Sequence, residues 1–283
     1  MFFYINYAKN YMKLRFLHWN IMKLNKHAKN KEDHLNCIIK SINQMTPDII
    51  SMCELSNKDE LDYIKYKLNN NDKKYFSYFI KSNDTHTEQN NSLISLVEPT
   101  ITPHTFSNKI SKHYTTTFDF QKVKLSLVSC HLLAFPNKIE RIKQREDQAK
   151  ILSCHVNNLV KNNHEVILAG DLNDTDNDVQ DTNMSKSMSN VLDIIKGNIL
   201  TNTNNKIKQC NRYTYIHNNK KIMLDHVLVT TKLYNSIKKV SIKHIKNKSQ
   251  DDSDHDPIMV DFNIKNLNIE IIKTLKKTGR MLW

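Results

Sequence analysis

Four short apolar runs in this chain each close on one ionisable side chain, and that pattern limits what the chain can build. They are PDIISMCEL, LSLVSCHLLA, EVILAGD and KKIMLDHVLV, ending on or carrying Glu54, His131, Asp171 and Asp225. Each is short, rich in apolar and β-branched residues and bounded by turn formers or charges, so each predicts a buried strand. A carboxylate buried in such a run costs several kcal/mol unless a cation, a histidine or a metal partners it. One such residue is more often a satisfied structural group. Four of them at strand ends point to a shared site.

The rest of the chain alternates strand-like and helical patterns. Strands are expected over residues 14–21, 48–55, 75–80, 92–97, 114–120 and 123–131, then 165–169, 213–216, 222–229, 240–245 and 257–264. Helices are expected over 32–45, with Leu35, Ile38, Ile39 and Ile42 on one face, and over 58–68, 138–160 and 191–195. No repeat or long linker interrupts them, which predicts one α/β domain over residues 12–265 and a monomer. Residues 1–11 read as a loose extension without a signal-peptide core, and 266–283 as a Lys-rich tail, helical or frayed. No apolar run approaches the roughly 20 residues a membrane helix needs.

The chain carries 42 Lys and Arg against 29 Asp and Glu, a net charge of +13. That field favours polyanions, either nucleic acid or an anionic phospholipid headgroup. Only five of the 42 cations are Arg, the better bidentate phosphate reader. The five cysteines form no CxxC pair and show no metal-ligand spacing, as in a chain that needs no disulfides.

Two segments carry the sharpest chemistry. In EVILAGDLNDTDND a strand meets one of only three glycines and then Asp171, Asn173 and Asp174. The glycine is expected to allow a tight turn and close approach of backbone to ligand. Neither window starting at Asp171 or Asp174 has the Gly and Glu that a calcium-binding EF-hand loop requires. In SDHDPIMVDF, His255 lies between two carboxylates, Asp254 and Asp256, which favours its protonated form.

Taken in order, these residues resemble the endonuclease/exonuclease/phosphatase superfamily, the DNase I-like proteins. The resemblance runs from about Leu14 to Phe262. It rests on Trp19-Asn20, Pro47-Asp48 through Glu54, Asn91, His131-Leu132, Arg145 with Gln148, Gly170-Asp171 with Asn173, Asp225, and Ser253-Asp254-His255. It implies a four-layered α/β sandwich, two mixed β-sheets packed face to face with helices outside. It implies Glu54 as the main ligand of Mg²⁺ (or Mn²⁺ or Ca²⁺), with Asn20 and Asp254 near the metal. Asp171, helped by Asn173, would orient or deprotonate water, and His255 paired with Asp225 would contact the scissile phosphate. His131 would donate to a phosphoryl oxygen, and Arg145 and Asn91 would hold substrate phosphate. Whether Asp171 or His255 is the base stays open at this point.

The chain departs from the pattern in places. Met22 and His131 stand where the AP-endonuclease branch carries an acidic residue and a tyrosine, and Ser92 replaces a glycine. The stretch YTYIHNNKKIMLDHVLV is most similar to bacterial extracellular-nuclease members. The leading expectation is therefore a metal-dependent phosphodiesterase acting on DNA or RNA. The alternatives are a phosphoinositide phosphatase or sphingomyelinase-like phospholipase C, and a catalytically decayed basic nucleic-acid-binding module.

Overall fold

Side chains one residue apart on an apolar strand go to different layers, and in this chain both layers are apolar. The computed structural model describes residues 13–22, 31–70, 73–120, 123–135, 138–245 and 253–264. The N-terminal extension and the Lys-rich tail lie outside the described residues. In the first half, β1 (Leu14–Asn20), α1 (Lys31–Met45), β2 (Ile49–Leu55), α2 (Lys58–Leu68), β3 (Phe76–Ile80) and β4 (Asn90–Ser95) follow in order. Next come β5 (Ile101–His104), β6 (His113–Phe120), β7 (Val123–His131), α3 (Ile139–Lys161), β8 (His164–Asp171) and α4 (Val191–Lys196). Then β9 (Leu200–Asn202), β10 (Tyr215–His217), β11 (Lys220–Ile222), β12 (Asp225–Thr230), α5 (Thr231–Ser236), β13 (Ile237–Ile242) and β14 (Ile258–Phe262) complete it.

Two six-stranded sheets form, in the orders β13-β14-β1-β2-β4-β3 and β5-β6-β7-β8-β12-β9. Each is mixed. β1 and β2 are parallel in the first, β7 and β8 in the second, and the other pairs are antiparallel. Each parallel pair is bridged by a helix, α1 or α3, as parallel pairing requires. The expected four-layered sandwich is what the chain builds.

Alternation sorts the layers. Phe16, Ile49, Leu93, Leu127, Ile167, Val227 and Val260 fill the space between the sheets. Their neighbours Leu17, Ile50 and Met52 pack under α1 and α2 with Ile38, Ile42 and Ile64. On the other side Val128, Val166 and Leu168 meet Leu152 and Val156 of α3 and Val191 of α4. Each fully buried Leu, Ile or Phe stabilises by about 1.5–3 kcal/mol, so these three layers dominate the folding energy. Asn57 caps α2 by accepting from the Glu60 backbone N–H at 3.0 Å, which fixes the start the sequence predicted.

Three local readings differ. The apolar run 222–229 is two strands, because the Leu224 and Asp225 amides leave the ladder to donate to Thr214 Oγ1 at 3.3 and 3.2 Å. The last strands are shifted: β13 begins at Ile237, directly after the short α5. Gly170 is in no turn; it is the penultimate residue of β8. A Cβ there would meet the Cys130 carbonyl oxygen of β7 at 2.0 Å, so glycine is required by the close approach of two strands. Among the described residues no helix is long and apolar enough to cross a membrane.

Candidate active site

Strand direction brings the ionisable residues together. β1 and β2 are parallel, so Asn20 and Glu54 finish at the same end of their sheet. In the facing sheet His131 pairs with Asp171, and Asp171 pairs with Asp225, the first residue of the antiparallel β12. β14 runs against β1, which places His255, just before β14, at that same end. Period-2 alternation then sets the face. Asn20 shares parity with Phe16, His131 with Leu127, Asp171 with Ile167 and Asp225 with Val227, all residues of the layer between the sheets. The site is thus the polar continuation of the inter-sheet core.

Glu54 breaks this rule usefully. By alternation it would face away from its neighbour Cys53. Its φ of 69° and the register shift between Cys53 and Leu55 mark a bulge that turns it toward the cluster. A bulky residue at positive φ is strained, and such strain gathers at functional sites.

The carboxylates meet through Asn20, whose Nδ2 donates to Glu54 Oε1 and to Asp171 Oδ2, both at 3.0 Å. Its Oδ1 accepts from the Met22 amide at 3.0 Å, so Asn20 acts here as a bridge between acids. His131 Nε2 stands 3.8 Å from both Glu54 Oε1 and Asp171 Oδ2. His255 Nε2 faces Asp171 Oδ2 at 3.8 Å, and its Nδ1 donates to Asp225 Oδ2 at 2.6 Å. Trp19 Nε1 donates to the His255 carbonyl at 3.0 Å, and Ser253 Oγ bonds the Asn20 carbonyl at 2.7 Å, tying the 253–256 loop to β1. Asn173 donates from its amide nitrogen to Asp171 Oδ1 at 2.9 Å and from Nδ2 to the Leu132 carbonyl at 3.1 Å. The Tyr215 ring lies 4.9 Å from the His255 ring.

Burial and charge split the protonation states. Burial raises the Asp171 pKa, the negative charges of Asp225 and Glu54 raise it further, and it stands at about 7. Burial would raise Asp225 as well, but the His255 and His18 rings outweigh it and hold that carboxyl well below the usual range. Burial pushes His255 down, yet Asp225 prevails, with Asp171 and Asp254 adding, and the imidazolium persists to about 10. His131 is driven well below the ordinary histidine value by burial and by the positive charges of Lys112 and His255. At neutral pH the cluster therefore holds one charged histidine, one neutral histidine and one carboxyl poised to take or give a proton.

The donor set fits a hard divalent cation. Ligand atoms of Glu54, His131 and Asp171 lie within 4.8 Å of one another, as do those of Asp171, Asp225 and His255. Like charges about 5 Å apart repel by about 3 kcal/mol at an effective dielectric of 20, and a cation among these acids relieves that.

Of the ten residues expected from the sequence, Asn20, Glu54, His131, Asp171, Asn173, Asp225 and His255 come together. Asp254 adjoins His255, half-exposed, with its charge felt at that ring. Asn91 is buried opposite Cys53, beside Glu54, with neither amide atom hydrogen-bonded. Arg145 is not brought to the cluster: it is fully buried, donating to Asp174 Oδ2 at 3.2 Å and to the Phe135 carbonyl at 3.4 Å. Sequence reasoning missed His18 and Tyr215. His18 was legible in HWN, where it shares a strand face with Asn20; Tyr215 joins only through a bridge to His255.

No protein-family model matches the sequence, and no curated protein is similar to it at a significant level. Its fold does match solved structures. One is a 3'-5' exonuclease (NExo) from Neisseria meningitidis, 15% identical, covering 88% of this chain and 100% of that one at a TM-score of 0.68. A humanized D. rerio TDP2 is 18% identical, covering 89% and 99% at 0.63. A mannosyl-6-phosphatase from Bacteroides thetaiotaomicron is 13% identical, covering 87% and 98% at 0.63.

Proposed function

We propose that this chain, which has the endonuclease/exonuclease/phosphatase fold, is a divalent-metal-dependent phosphodiesterase that hydrolyses DNA or RNA. The observation that carries the reading is the convergence of Glu54, His131, Asp171, Asp225 and His255 at one strand end, with His255 Nε2 3.8 Å from Asp171 Oδ2; burial raises the Asp171 carboxyl there while Asp225 keeps His255 protonated. A base that works near neutrality and a cation beside it are what attack of water on a phosphate diester needs.

The geometry supports a division of labour. Asp171 accepts the proton of the attacking water; its orientation is set by the Asn20 Nδ2–H on one oxygen and the Asn173 N–H on the other. His255, held protonated by Asp225, offers positive charge and an N–H to a phosphoryl oxygen and is therefore not the base. His131, neutral, presents Nε2 to the same space between Glu54 and Asp171. The unpaired Asn91 amide is a donor for a second phosphoryl oxygen. Mg²⁺ held by Glu54, with Asp254 beside it, would supply Lewis acidity that neutralises charge on the phosphate. The net charge of +13 supports a polyanionic substrate. The Neisseria neighbours point the same way, one of them having been solved with a product DNA hairpin.

The test incubates supercoiled plasmid, single-stranded DNA and RNA with the protein in Mg²⁺, in Mn²⁺ and in EDTA, with Asp171→Asn as control. Cleavage that needs metal and is lost in the variant is expected. The same tubes include a phosphosugar, a phosphoinositide and sphingomyelin. Release of phosphate from the phosphosugar or phosphoinositide, or of phosphocholine from sphingomyelin, with nucleic acid intact, would replace nucleic acid as the substrate class.

A further inference from the structure

Asp225 has two carboxylate oxygens, and the hydrogen bond from His255 fills only Oδ2. Its Oδ1 is buried without a hydrogen-bond partner, and so are both ring nitrogens of His18. These unpaired groups face each other: His18 Nε2 lies 3.5 Å from Asp225 Oδ1, with side chains 0% and 1% exposed. A buried polar atom left unpaired costs about 1–3 kcal/mol, and one hydrogen bond from His18 Nε2 to Asp225 Oδ1 satisfies those two atoms, leaving only His18 Nδ1 of the three. The adjacent strands offer His18 no rival. Its register neighbours are Ile258 and Ser51, and the Ser51 hydroxyl is already engaged by Ser129 and Tyr114 at 2.9 and 3.0 Å.

We propose that His18 is a positioning residue whose Nε2–H donates to Asp225 Oδ1, so that the carboxylate is clamped between two imidazoles and aims His255 at the reacting phosphate. This rests on His255 acting as described above. The torsion of an aspartate carboxylate is soft and broad, so one hydrogen bond leaves its plane free to swing. Held at both oxygens, it fixes the His255 ring through the 2.6 Å bond, and with it the direction of Nε2. His18 is fully buried and meets no substrate, so its effect falls on turnover and not on binding.

Steady-state kinetics of His18→Leu and His18→Gln test this. The glutamine amide reaches as far as Nε2 and restores the donor; leucine fills the space without one. The leucine variant is expected to lose kcat by about 10- to 100-fold with KM within about twofold, and glutamine to recover to within about threefold of wild type. A second readout needs no activity: the downfield His255 Nδ1–H proton, followed by NMR in metal-free ¹⁵N-histidine-labelled protein. It is expected in wild type and His18→Gln, and weakened or shifted upfield in His18→Leu. Should leucine prevent folding, His18→Asn, whose amide stops short of Asp225, takes its place with the same expectation. A resonance unchanged by losing the donor overturns the proposal. So does an equal loss of kcat in the leucine and glutamine variants, which marks a packing role. If wild type cleaves nothing, the reading of the reaction fails and the NMR result alone decides for or against the clamp.

Discussion

This chain gathers two clusters of three acids, and they solve the same electrostatic problem in opposite ways. Asp176, Asp178 and Asp193 surround the Lys196 ammonium at 2.8, 2.6 and 3.2 Å. Burial alone would raise Asp176, but hydrogen bonds from Lys196 and Asn202 win and its pKa falls below the ordinary value. Glu54, Asp171 and Asp225 gather instead around histidines and an amide, and Asp171 is left at about 7. The first cluster is built to be stable. The second keeps unrelieved repulsion among its acids, which a bound cation and a substrate-facing histidine can use.

The sharpest way to break this comparison is to neutralise one charged side chain in each. Asp171→Asn is expected to lower kcat by about 10³-fold, the loss of a general base, while leaving the melting temperature at or above wild type. A lower melting temperature would mean that Asp171 is structural. Lys196→Met should do the reverse. Removing the cation from buried Asp176 costs about 2–4 kcal/mol, discounted because the ammonium is partly reached by solvent, with kcat of the folded protein within about threefold. Urea denaturation gives the first number and initial rates the second. Unchanged stability would show that the lysine is dispensable and remove the contrast.

A smaller effect separates the two as cation sites. Mg²⁺ at about ten times its Kd should stabilise the wild type by about 1.4 kcal/mol, a rise of roughly 3–6 °C in melting temperature. Glu54→Gln should abolish that rise and Asp178→Asn should not, since Lys196 already fills the second cluster. Equal magnesium responses in both variants would sink the distinction.

Much of this was legible in the sequence because strand alternation is local. An ionisable residue at either end of an apolar strand, on the parity of buried neighbours, lies on a buried face, and Asp171, Asp225 and His131 obey that rule. What stayed hidden depends on register or on partners remote in sequence. Glu54 reaches the cluster only through a bulge, which alternation does not foresee. EVILAGDLNDTDND reads as one acidic segment, yet three remote partners divide it. Asp171 joins the site, Arg145 takes Asp174, and Lys196 takes Asp176 and Asp178. Arg145, a substrate-phosphate residue by the resemblance, is the counter-ion of Asp174, and nothing local in the sequence marks it as such. Gly170 is one of three glycines, and the backbone of the strand beside it is what requires it.

The subtlest prediction sets the two kinds of burial against each other as pH changes. Asp171 has a folded pKa near 7 against an ordinary 3.8, so the folded state binds the proton more tightly and metal-free stability falls as pH rises from about 4 to 7. Buried His113 and half-buried His155 have the opposite sense. Desolvation lowers both to about 4 from 6.5, so the unfolded chain takes up protons first and stability falls as pH drops from 6.5 toward 4. His131, also held neutral by burial, adds to that second slope, whereas His255 is already charged in both states below 6.5. In the metal-free wild type the two slopes oppose each other between pH 5 and 6.5, and the melting temperature should change little. Asp171→Asn removes one of them and unmasks the histidines. Its melting temperature should drop by about 3–6 °C from pH 6.5 to pH 5, about 1–2 kcal/mol after discounting for solvent reaching His155. Parallel pH curves for the two proteins would show that Asp171 carries no raised proton affinity, and the contrast between the relieved and unrelieved clusters would fall with it.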